Sequence, residues 1–433
     1  MKYEKYKDSG IDWIGEIPEH WGVIKFKYFA DLFTGNSIPD EEKYMYEFKE
    51  NGHPYIATKD VYMDGRINYD NGMIIPYEHK KFKIAPVNST LMCIEGGSAG
   101  VKKSFLEEDV CFGNKLCCFN VKEGFNKKYI FYFLSSPDYE RYFAMNLNGL
   151  IGGVNIQRLK NFEAIIPSIV EQEKIAAYLD EKTEKIDSII KELEDQREKL
   201  ELYKRKLIAH VVTKGLNENV PMKDSGVDWI GAVPEHWKVE KIKWNFEIVK
   251  RQDGREERPV LSITQQGIKI KDIEKNDGQM AESYEKYQLV EPGDYAMNSM
   301  DLLTGWIDCS KYEGVTSPDY RVFRLKNSEL NDNQYFNYLF QMCYTRRIFY
   351  RIGQGVSNLG RWRLQREPFL NMEIPVPPTD EQKEIANLIK EKDLQIRKVD
   401  RKIKLQIEKL NEYRKSIIHD AVTGKIKIGG GEK

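Results

Sequence analysis

The feature that most constrains this chain is a fifteen-residue phrase that occurs twice. KDSGIDWIGEIPEHW occupies residues 7–21, and KDSGVDWIGAVPEHW occupies residues 223–237, which is 216 positions later. Twelve of the fifteen positions are identical, so the phrase marks an internal repeat. The chain has 433 residues, which is too many for one hydrophobic core. The repeat and the length together predict at least two structural units of related design.

Further repeated segments place the phrase within a larger unit. The sequence EQEKIA at 171–176 returns as EQKEIA at 381–386, and the dipeptide VT at 212–213 returns at 422–423, both 210 positions later. Each half therefore contains the phrase, a segment of mixed strand and helix pattern, and a long helix. The mixed segments match only in outline, which indicates two domains that keep a common frame and differ within it.

Each predicted long helix has an apolar residue at every seventh position, which is the pattern of a coiled coil. These seam residues are Leu179, Ile186, Leu193, Leu200 and Leu207 in the first helix and Ile389, Ile396, Ile403, Leu410 and Ile417 in the second. The predicted companion column consists of Ile175, Lys182, Ile189, Gln196 and Tyr203, matched by Ile385, Lys392, Val399, Gln406 and Tyr413. Polar residues recur at the same register in both helices, as expected for two helices that pair with each other. The alternative is that each helix packs separately on its own domain.

The connectivity predicts that the two helices run antiparallel, because the second must return toward the start of the first. We therefore predict an α+β fold in which two globular α/β domains are separated by a pair of long antiparallel coiled-coil helices, with a pseudo-twofold internal repeat. In this fold the repeated phrase joins an end of the coil to a globular domain. The predicted divisions are a first domain at 1–166, a helix at 167–215, a second domain at 216–376, a helix at 377–425 and a flexible tail at 426–433.

Composition narrows the class of protein. No run of eighteen apolar residues exists, and the first ten residues, MKYEKYKDSG, lack the apolar segment of a signal peptide. The six cysteines form no CxxC pair, which suits a reducing compartment. We therefore expect a cytoplasmic protein that is neither secreted nor inserted in a membrane. The formal net charge of −1 gives no bulk indication of nucleic-acid binding, so any basic surface must be local.

The repeated motifs resemble those of one family. The phrase DSGxDWIGxxPEHW, the helix start IPVPPTDEQKEIA at 374–386 and the helix ends VTKGL and VTGKI are similar to the motifs of the specificity subunit of type I restriction–modification enzymes. The resemblance covers nearly the whole chain, although the first helix start has Ser168 and Ile169 where prolines are usual. It implies a non-catalytic subunit without a cofactor. Its two target-recognition domains would each bind one half of a bipartite site in double-stranded DNA.

The resemblance also implies protein partners. Two methyltransferase subunits, and in some systems restriction and translocase subunits, would dock on the helices and perform the chemistry. Apolar residues that are expected to face away from the seam suit such docking. They are Ile190, Leu202, Ile208 and Ile418. The competing hypothesis is a coiled-coil scaffold or adaptor that holds two partner proteins apart.

Side chains suited to DNA occur in loops of both predicted domains. Arginine and lysine suit guanine, asparagine and glutamine suit adenine, and small polar groups suit phosphates. The candidates in the first domain are Lys59, Lys102, Lys103, Asn155, Gln157 and Arg158. Those in the second domain are Gln265, Gln266, Ser317, Tyr320, Arg321, Gln354, Asn358, Arg361 and Arg363. For each of them the alternative interpretation is an ordinary solvated loop residue.

The sequence contains no recognisable pattern for catalysis or metal binding. It has neither an NPPY-like methyltransferase loop nor a GxxxxGK[ST] phosphate loop. Its six histidines are too scattered to predict a metal site, and His20 and His236 simply recur with the phrase. We therefore expect no catalytic residue and no metal in this chain, which disfavours a self-contained nuclease or methyltransferase.

Overall fold

A computed structural model describes residues 2–47, 50–149, 152–252, 254, 258–272, 283–355 and 362–429. The chain divides into two compact units. The first comprises residues 1–193 and 404–433, and the second comprises residues 194–403. The boundary falls within both long helices, so each unit contains one segment of each helix.

The first unit consists of short strands and short helices that lead into a long helix. Its strands are β1 (Tyr6–Asp8), β2 (Glu16–Pro18), β3 (Gly22–Lys25), β4 (Ala30–Thr34), β5 (Gly52–Ile56), β6 (Ile74–Pro76), β7 (Ile84–Ala85), β8 (Thr90–Cys93), β9 (Lys103–Phe105), β10 (Val110–Phe112), β11 (Leu116–Val121) and β12 (Glu163–Ile166). Its helices are α1 (Phe26–Phe29), α2 (Lys127–Leu134), α3 (Pro137–Met145), α4 (Ile156–Leu159) and the start of α5 (Ile169–Lys214). Two 3-10 helices span Asp40–Met45 and Thr58–Asp60.

The second unit repeats the general order of elements, and its described part also contains twelve strands. Its strands are β13 (Met222–Asp224), β14 (Ala232–Pro234), β15 (Lys238–Lys241), β16 (Phe246–Ile248), β17 (Leu261–Thr264), β18 (Gly267–Ile270), β19 (Gln288–Val290), β20 (Tyr295–Met297), β21 (Ile307–Cys309), β22 (Gly314–Thr316), β23 (Arg321–Leu325) and β24 (Glu373–Val376). Its helices are α6 (Ile242–Asn245), α7 (Asn333–Thr345), α8 (Ile348–Arg351), α9 (Arg366–Asn371) and the start of α10 (Thr379–Val422).

Both units contain the same antiparallel four-stranded sheet. Its order is β4–β11–β8–β9 in the first unit and β16–β23–β20–β21 in the second. The strand that follows the phrase also pairs with the strand that precedes the long helix, as β3 with β12 and β15 with β24. The units differ elsewhere. The first has a second sheet, β6–β5–β10–β7, whereas the second has the hairpin β17–β18 and the pair β19–β22.

The central strand β11 shows how one sheet serves two cores. Its side chains alternate between the two faces, as the pleat of a strand requires. Cys117 and Phe119 belong to the large core shared with α2 and α3, whereas Leu116 and Cys118 belong to a second core against β8 and β10. All six cysteines are buried and form no disulfide. Burial raises the pKa of the Cys118 thiol to about 12, so this thiol stays protonated near neutral pH.

The predicted companion column of the helix seam is only partly right, because Ile175 and Ile385 are buried as predicted whereas the later apolar members of the column are not. The ten leading seam residues are buried or half-buried, but the companion residues Ile189, Tyr203, Val399 and Tyr413 are between 43% and 52% exposed. The column that packs instead lies one position further along each helix. Its members are Thr183, Ile190, Arg197 and Lys204 on α5 and Asp393, Asp400, Ile407 and Arg414 on α10. Several of these side chains are charged, so ion pairs as well as apolar contacts join the helices.

Ion pairs between α5 and α10 occur within each unit. In the second unit Arg197 Nε donates to Asp400 Oδ1 at 2.7 Å, and Lys204 Nζ lies 2.5 Å from Asp393 Oδ1. The residue number falls on one helix as it rises on the other, so the two segments are antiparallel. In the first unit Arg414 pairs with the carboxylate of Asp187. The predicted α+β fold class with long antiparallel helices is confirmed, and the alternative of separately packed helices is excluded.

In the first unit the repeated phrase joins the start of α5 to the end of α10. Glu171, in the first turn of α5, accepts hydrogen bonds from His20 Nε2 at 2.9 Å and from Trp21 Nε1 at 3.4 Å. Partial burial tends to raise the pKa of Glu171, but these hydrogen bonds outweigh it and hold the pKa below its ordinary value. Gly424 follows α10 with a φ of +73°, and a Cβ atom there would lie 2.4 Å from Pro18 Cδ. Glycine is therefore required at this junction.

The second copy of the phrase makes the corresponding junction. Glu381, in the first turn of α10, accepts hydrogen bonds from His236 Nε2 at 3.0 Å and from Trp237 Nε1 at 2.5 Å. Gly215 ends α5 with a φ of +78°, and a Cβ atom there would lie 3.2 Å from the Trp237 ring. In both units the phrase therefore joins the start of one long helix to the end of the other. This contact accounts for its double occurrence.

A buried tyrosine ties each globular part to the same junction. Tyr129 on α2 donates its hydroxyl to the Val422 backbone oxygen at 3.3 Å, near the end of α10. Tyr335 on α7 donates to the Val212 backbone oxygen at 3.0 Å, near the end of α5. Burial raises the pKa of both phenols well above the ordinary value, so they remain hydrogen-bond donors. The ends of the long helices are thus fixed to the domains by equivalent bonds.

Candidate nucleic-acid interface

In the first unit, two loops that carry candidate residues are bonded together. The turn after β8 and the segment before α4 meet where Val154 N donates to the Ile94 backbone oxygen at 3.0 Å. The candidates on and beside these loops are Lys102, Asn155, Gln157 and Arg158. We call this arrangement, a turn after a sheet strand bonded to the segment before a short helix, a turn–loop site.

The segment before α4 is ordered by its own polar side chains. Asn155 is the N-cap of α4, and its Oδ1 accepts a hydrogen bond from Arg158 N at 2.9 Å. The Arg158 guanidinium donates to Asn146 Oδ1 at 2.7 Å. Asn155, Gln157 and Arg158 all remain exposed. These contacts fix the backbone and the direction of the arginine, and they leave polar groups at the surface. Asn146 was not among the sequence candidates.

Two neighbouring lysines have opposite environments. Lys102 donates to the Thr58 backbone oxygen at 3.1 Å, which places it beside the exposed Lys59. Lys103, the next residue, is buried on β9, and its Nζ lies 2.5 Å from Glu140 Oε1. Burial lowers the pKa of Lys103, against the opposing effect of Glu140. Because its ammonium group is enclosed and paired, we exclude Lys103 from the proposed interface.

The second unit contains a turn–loop site built in the same way. The turn after β20 meets the segment before α9 where Leu364 N donates to the Ser299 backbone oxygen at 2.9 Å. Gln354 and Arg363 face each other through two backbone hydrogen bonds of 2.8 and 2.9 Å, and both side chains are exposed. The structure therefore brings these two candidates together. The candidates Asn358 and Arg361 lie outside the described residues.

Gln265 and Gln266 form the two-residue turn of the β17–β18 hairpin. Both are exposed, and Gln265 Nε2 donates to the Thr304 backbone oxygen at 3.5 Å, which places the hairpin beside the turn–loop site. Asp308 on β21 fixes the hairpin, because its carboxylate accepts a hydrogen bond from Ile268 N at 2.9 Å. This role could not be predicted from the sequence, because an isolated aspartate in a strand matches no motif.

The same hairpin borders a cleft of about 510 Å³ within the second unit. The opposite wall is formed by side chains of the long helices, including Lys204 and Asp393. Asn337 on α7 also lines the cleft and donates to Asp308 Oδ1 at 2.8 Å. The cleft is thus lined largely by charged and amide groups, unlike the apolar pockets that enclose small molecules.

The three candidates that follow β22, which are Ser317, Tyr320 and Arg321, differ in how deeply their side chains are buried and in how many contacts they make with the rest of the domain. Arg321 donates to the Leu364 backbone oxygen at 2.7 Å and stacks over Phe369, 5.0 Å from the ring centroid. Burial lowers its pKa to about 10. Tyr320 is half-buried against a small core, and Ser317 accepts a hydrogen bond from the backbone within its own turn. Arg321 therefore stabilises the turn–loop site from within, and we exclude it as a direct contact.

The part of the chain that the structure describes contains no candidate metal site and no candidate membrane-spanning helix. No group of three or more histidine, cysteine, aspartate or glutamate side chains there is placed to hold a metal ion. No helix in the same part is both long and apolar enough to cross a membrane.

Comparison with known families decides the class of this protein. The family model for the type I restriction modification DNA specificity domain matches residues 18–199 and, a second time, residues 238–409. The chain belongs to this family. It is a specificity subunit of a type I restriction–modification system with two DNA recognition domains. Each matched region contains one turn–loop site.

Individual relatives agree with this assignment. The type I restriction enzyme MjaVIII specificity subunit of Methanocaldococcus jannaschii is 26% identical over 437 residues, which cover 95% of this chain and 94% of the relative. The StySPI specificity subunit of Salmonella potsdam is 24% identical over 225 residues, or 50% of this chain and 47% of the relative. A solved chain from a study of assembly and conformational transition in the type I R-M system has a TM-score of 0.67 at 13% identity. It covers 95% of this chain and 99% of its own length, and supports the fold.

Proposed function

We propose that each DNA specificity domain reads one half of a bipartite site in double-stranded DNA. The observation that carries this proposal is the pair of turn–loop sites, which share one backbone construction and carry different polar side chains. Contacts to phosphates position a protein, whereas contacts to base edges specify the sequence. A common frame with different exposed groups is therefore what two half-sites of different sequence require.

The proposed contacts are the candidates whose polar groups remain at the surface or lie beside a turn–loop site. In the first domain they are Lys59, Lys102, Asn155, Gln157 and Arg158. In the second they are Gln265, Gln266, Ser317, Tyr320, Gln354 and Arg363, together with Asn358 and Arg361 from outside the described residues. The proposed functional divisions remain 1–166, 167–215, 216–376 and 377–425, with a tail at 426–433.

We propose that two methyltransferase subunits, and restriction or translocase subunits where present, dock on the long helices and supply the chemistry. The support is the set of apolar side chains that the pairing of α5 with α10 leaves exposed. They are Ile189, Leu202 and Tyr203 on α5 and Leu394, Val399, Leu405 and Tyr413 on α10. Of the docking residues expected from the sequence, Leu202 is exposed, Ile190 and Ile208 are half-buried, and Ile418 is buried in the core. The chain would act in the cytoplasm and contribute no catalytic residue of its own.

Domain exchange tests the independence of the two readers. Residues 238–374 are replaced by the corresponding segment of another family member, and the methylated sequences of cells that express the complete system are determined. One half of the bipartite sequence should change, while the other half stays as it was. The reciprocal exchange of residues 22–164 is the matched control and should change the other half. If both halves change in either exchange, the two domains do not read independently.

The scaffold alternative predicts a different response to salt. Neutralising several phosphates makes DNA affinity fall steeply as the salt concentration rises, whereas bridging two proteins requires no such dependence. Steep salt dependence of duplex binding by the assembled complex therefore supports the DNA-reading function. An assembled complex that binds no duplex at low salt would support the scaffold.

A further inference from the structure

Each unit carries an exposed basic surface to which none of the candidate DNA-binding residues belongs. In the first unit it consists of Lys27, Tyr28, Lys122 and Asn161. Lys27 Nζ donates to Asn161 Oδ1 at 3.2 Å, and Lys122 Nζ donates to the Lys27 backbone oxygen at 3.3 Å. The Tyr28 side chain is 63% exposed, and its ring centroid lies 5.2 Å from Lys27 Nζ. Two ammonium groups and an aromatic ring therefore lie together.

The second unit reproduces this arrangement with Lys243, Trp244, Lys326 and Asn371. Lys243 Nζ donates to Asn371 Oδ1 at 2.8 Å, and Lys326 Nζ donates to the Lys243 backbone oxygen at 2.7 Å. Trp244 is 58% exposed, at the position that Tyr28 occupies in the first unit. We call the two sets of four residues the lysine–aromatic surfaces.

The surfaces recur although the domains around them have diverged. Their members are related by three different spacings, which are 216 positions from Lys27 to Lys243 and from Tyr28 to Trp244, 204 from Lys122 to Lys326, and 210 from Asn161 to Asn371. Insertions and deletions have therefore changed the chain between them, yet the two lysine hydrogen bonds recur in both units. Equivalent backbone bonds hold the short helices α1 and α6, from Phe26 N to Phe162 O and from Ile242 N to Met372 O, both at 2.9 Å.

The charges on these surfaces remain available to an anion. The ammonium groups of Lys27, Lys243 and Lys326 donate to uncharged oxygens, and none of the three forms an ion pair with another described residue. Lys122 is the exception, since Asp31 lies 3.4 Å away. The other hydrogen-bond partners of the four ammonium groups are neutral amide and backbone oxygens, which orient the lysines without neutralising them. A solitary exposed aromatic residue needs no explanation, but one retained beside two lysines in both units does.

From this geometry we propose that the lysine–aromatic surfaces bind the sugar–phosphate backbone of DNA, one at each half-site. The inference rests on the proposed DNA-reading function and extends it to residues that do not read sequence. Phosphate contacts carry no sequence information, so they can stay the same in two domains whose base contacts must differ. Both surfaces lie on the globular parts of the two DNA specificity domains, outside the long helices on which docking of protein partners is proposed. This placement favours DNA over an acidic protein partner.

The test compares two variants, each of which lacks four lysine charges. One loses the lysines of the two lysine–aromatic surfaces, and the other loses four lysines elsewhere. The first variant carries glutamine at the four surface lysines, Lys27, Lys122, Lys243 and Lys326. The control carries glutamine at four exposed lysines that belong neither to the long helices nor to the lysine–aromatic surfaces, Lys7, Lys80, Lys223 and Lys286. A rescue variant carries arginine at the first four positions. Each is assembled with the modification subunits of its own system, and binding to target and unrelated duplexes is measured by fluorescence anisotropy across a salt series.

The expected result is a smaller salt dependence in the first variant alone. Each phosphate contact contributes about 0.9 to the slope of log affinity against log salt, so losing four lowers the slope by about 3.6. When the salt concentration rises fourfold, the affinity of the wild type should therefore fall on the order of 100-fold more than the affinity of the variant. Affinity for target and unrelated duplexes should fall together, which leaves their ratio unchanged. The arginine variant should recover the slope.

Other outcomes refute the inference in distinguishable ways. An unchanged slope in the first variant, with normal DNA binding by the wild type, rejects the surfaces as phosphate contacts and leaves the proposed function intact. The inference is also rejected if the wild-type complex binds DNA normally but the first variant no longer assembles with its modification subunits. That result would identify an acidic protein as the partner of these surfaces. Failure of the wild-type complex to bind any duplex would reject both. Circular dichroism of each variant checks that the fold is retained.

Discussion

Two isoleucines on α5, three positions apart, test which face of the helix forms the seam. Ile186 is 4% exposed within the core of the first unit, whereas Ile189 is 45% exposed. A heptad assignment places both in the seam, and the structure places only Ile186 there. Replacing either with alanine changes the intrinsic helix propensity by the same amount, so a difference between the two variants reports packing alone.

The structure sets the expected size of this difference. Ile186→Ala removes three buried carbon atoms at about 0.8 kcal/mol each and leaves a cavity, so the free energy of unfolding should fall by about 2–5 kcal/mol. Ile189→Ala removes the same atoms from a half-exposed site where no cavity forms, so its cost should stay below about 1 kcal/mol. The two variants should therefore differ by more than about 1 kcal/mol.

Hydrogen exchange measured by mass spectrometry is the appropriate assay, because a chain with two compact units need not unfold in a single two-state step. Peptides that cover residues 179–193 report the local stability of this part of α5. At about 1.4 kcal/mol per factor of ten, Ile186→Ala should speed their exchange by about 30-fold or more, and Ile189→Ala by about fivefold or less. Equal acceleration by the two variants would refute the revised seam.

Three further outcomes follow from the same contacts. Ile189→Asp should leave the helix stable but prevent co-purification of modification subunits; a variant that still assembles would argue against docking on this face. Gly424→Ala should cost about 2–4 kcal/mol, because a φ of +73° strains any side chain and its Cβ would lie 2.4 Å from Pro18. Gly215→Ala, whose Cβ would lie 3.2 Å from the Trp237 ring, should cost less, about 1–2 kcal/mol and mainly backbone strain, and hydrogen exchange in peptides at the two helix ends measures both variants. Glu171 has a pKa held below its ordinary value, so its contribution to stability is present above about pH 4.5 and is lost as the pH falls through the lowered pKa. The stability advantage of wild type over Glu171→Gln at pH 7 should therefore shrink at pH 3.5, and a constant difference would contradict this assignment.

The DNA-binding candidates show where sequence reasoning stops. Lys102 and Lys103 are adjacent and identical in chemistry, yet one reaches a surface loop and the other forms a buried pair with Glu140. Which of two neighbours points inward depends on where the strand begins and on what packs over it. Arg321 is a similar case, since its partners at Leu364 and Phe369 are more than forty positions away along the chain. The lysine–aromatic surfaces were missed because their members follow three different spacings, and no single alignment of the two halves displays them together.

The sequence by itself determined the duplication, the two long helices and the leading column of their seam. Those features are local and periodic, and an apolar residue at every seventh position leaves little choice about which side of a helix is buried. The tertiary structure decided the second column beyond its first members, Ile175 and Ile385, which are buried as predicted. Heptad spacing is equally compatible with a companion three or four positions after the leading residue, and the apolar content of Ile189 and Tyr203 favoured the wrong one. Packing selected the column of Arg197 and Lys204 because each finds an aspartate on the antiparallel helix, about two hundred residues away in the chain. Whether a charged side chain can pack between two helices depends on its partner, and only the folded chain supplies one.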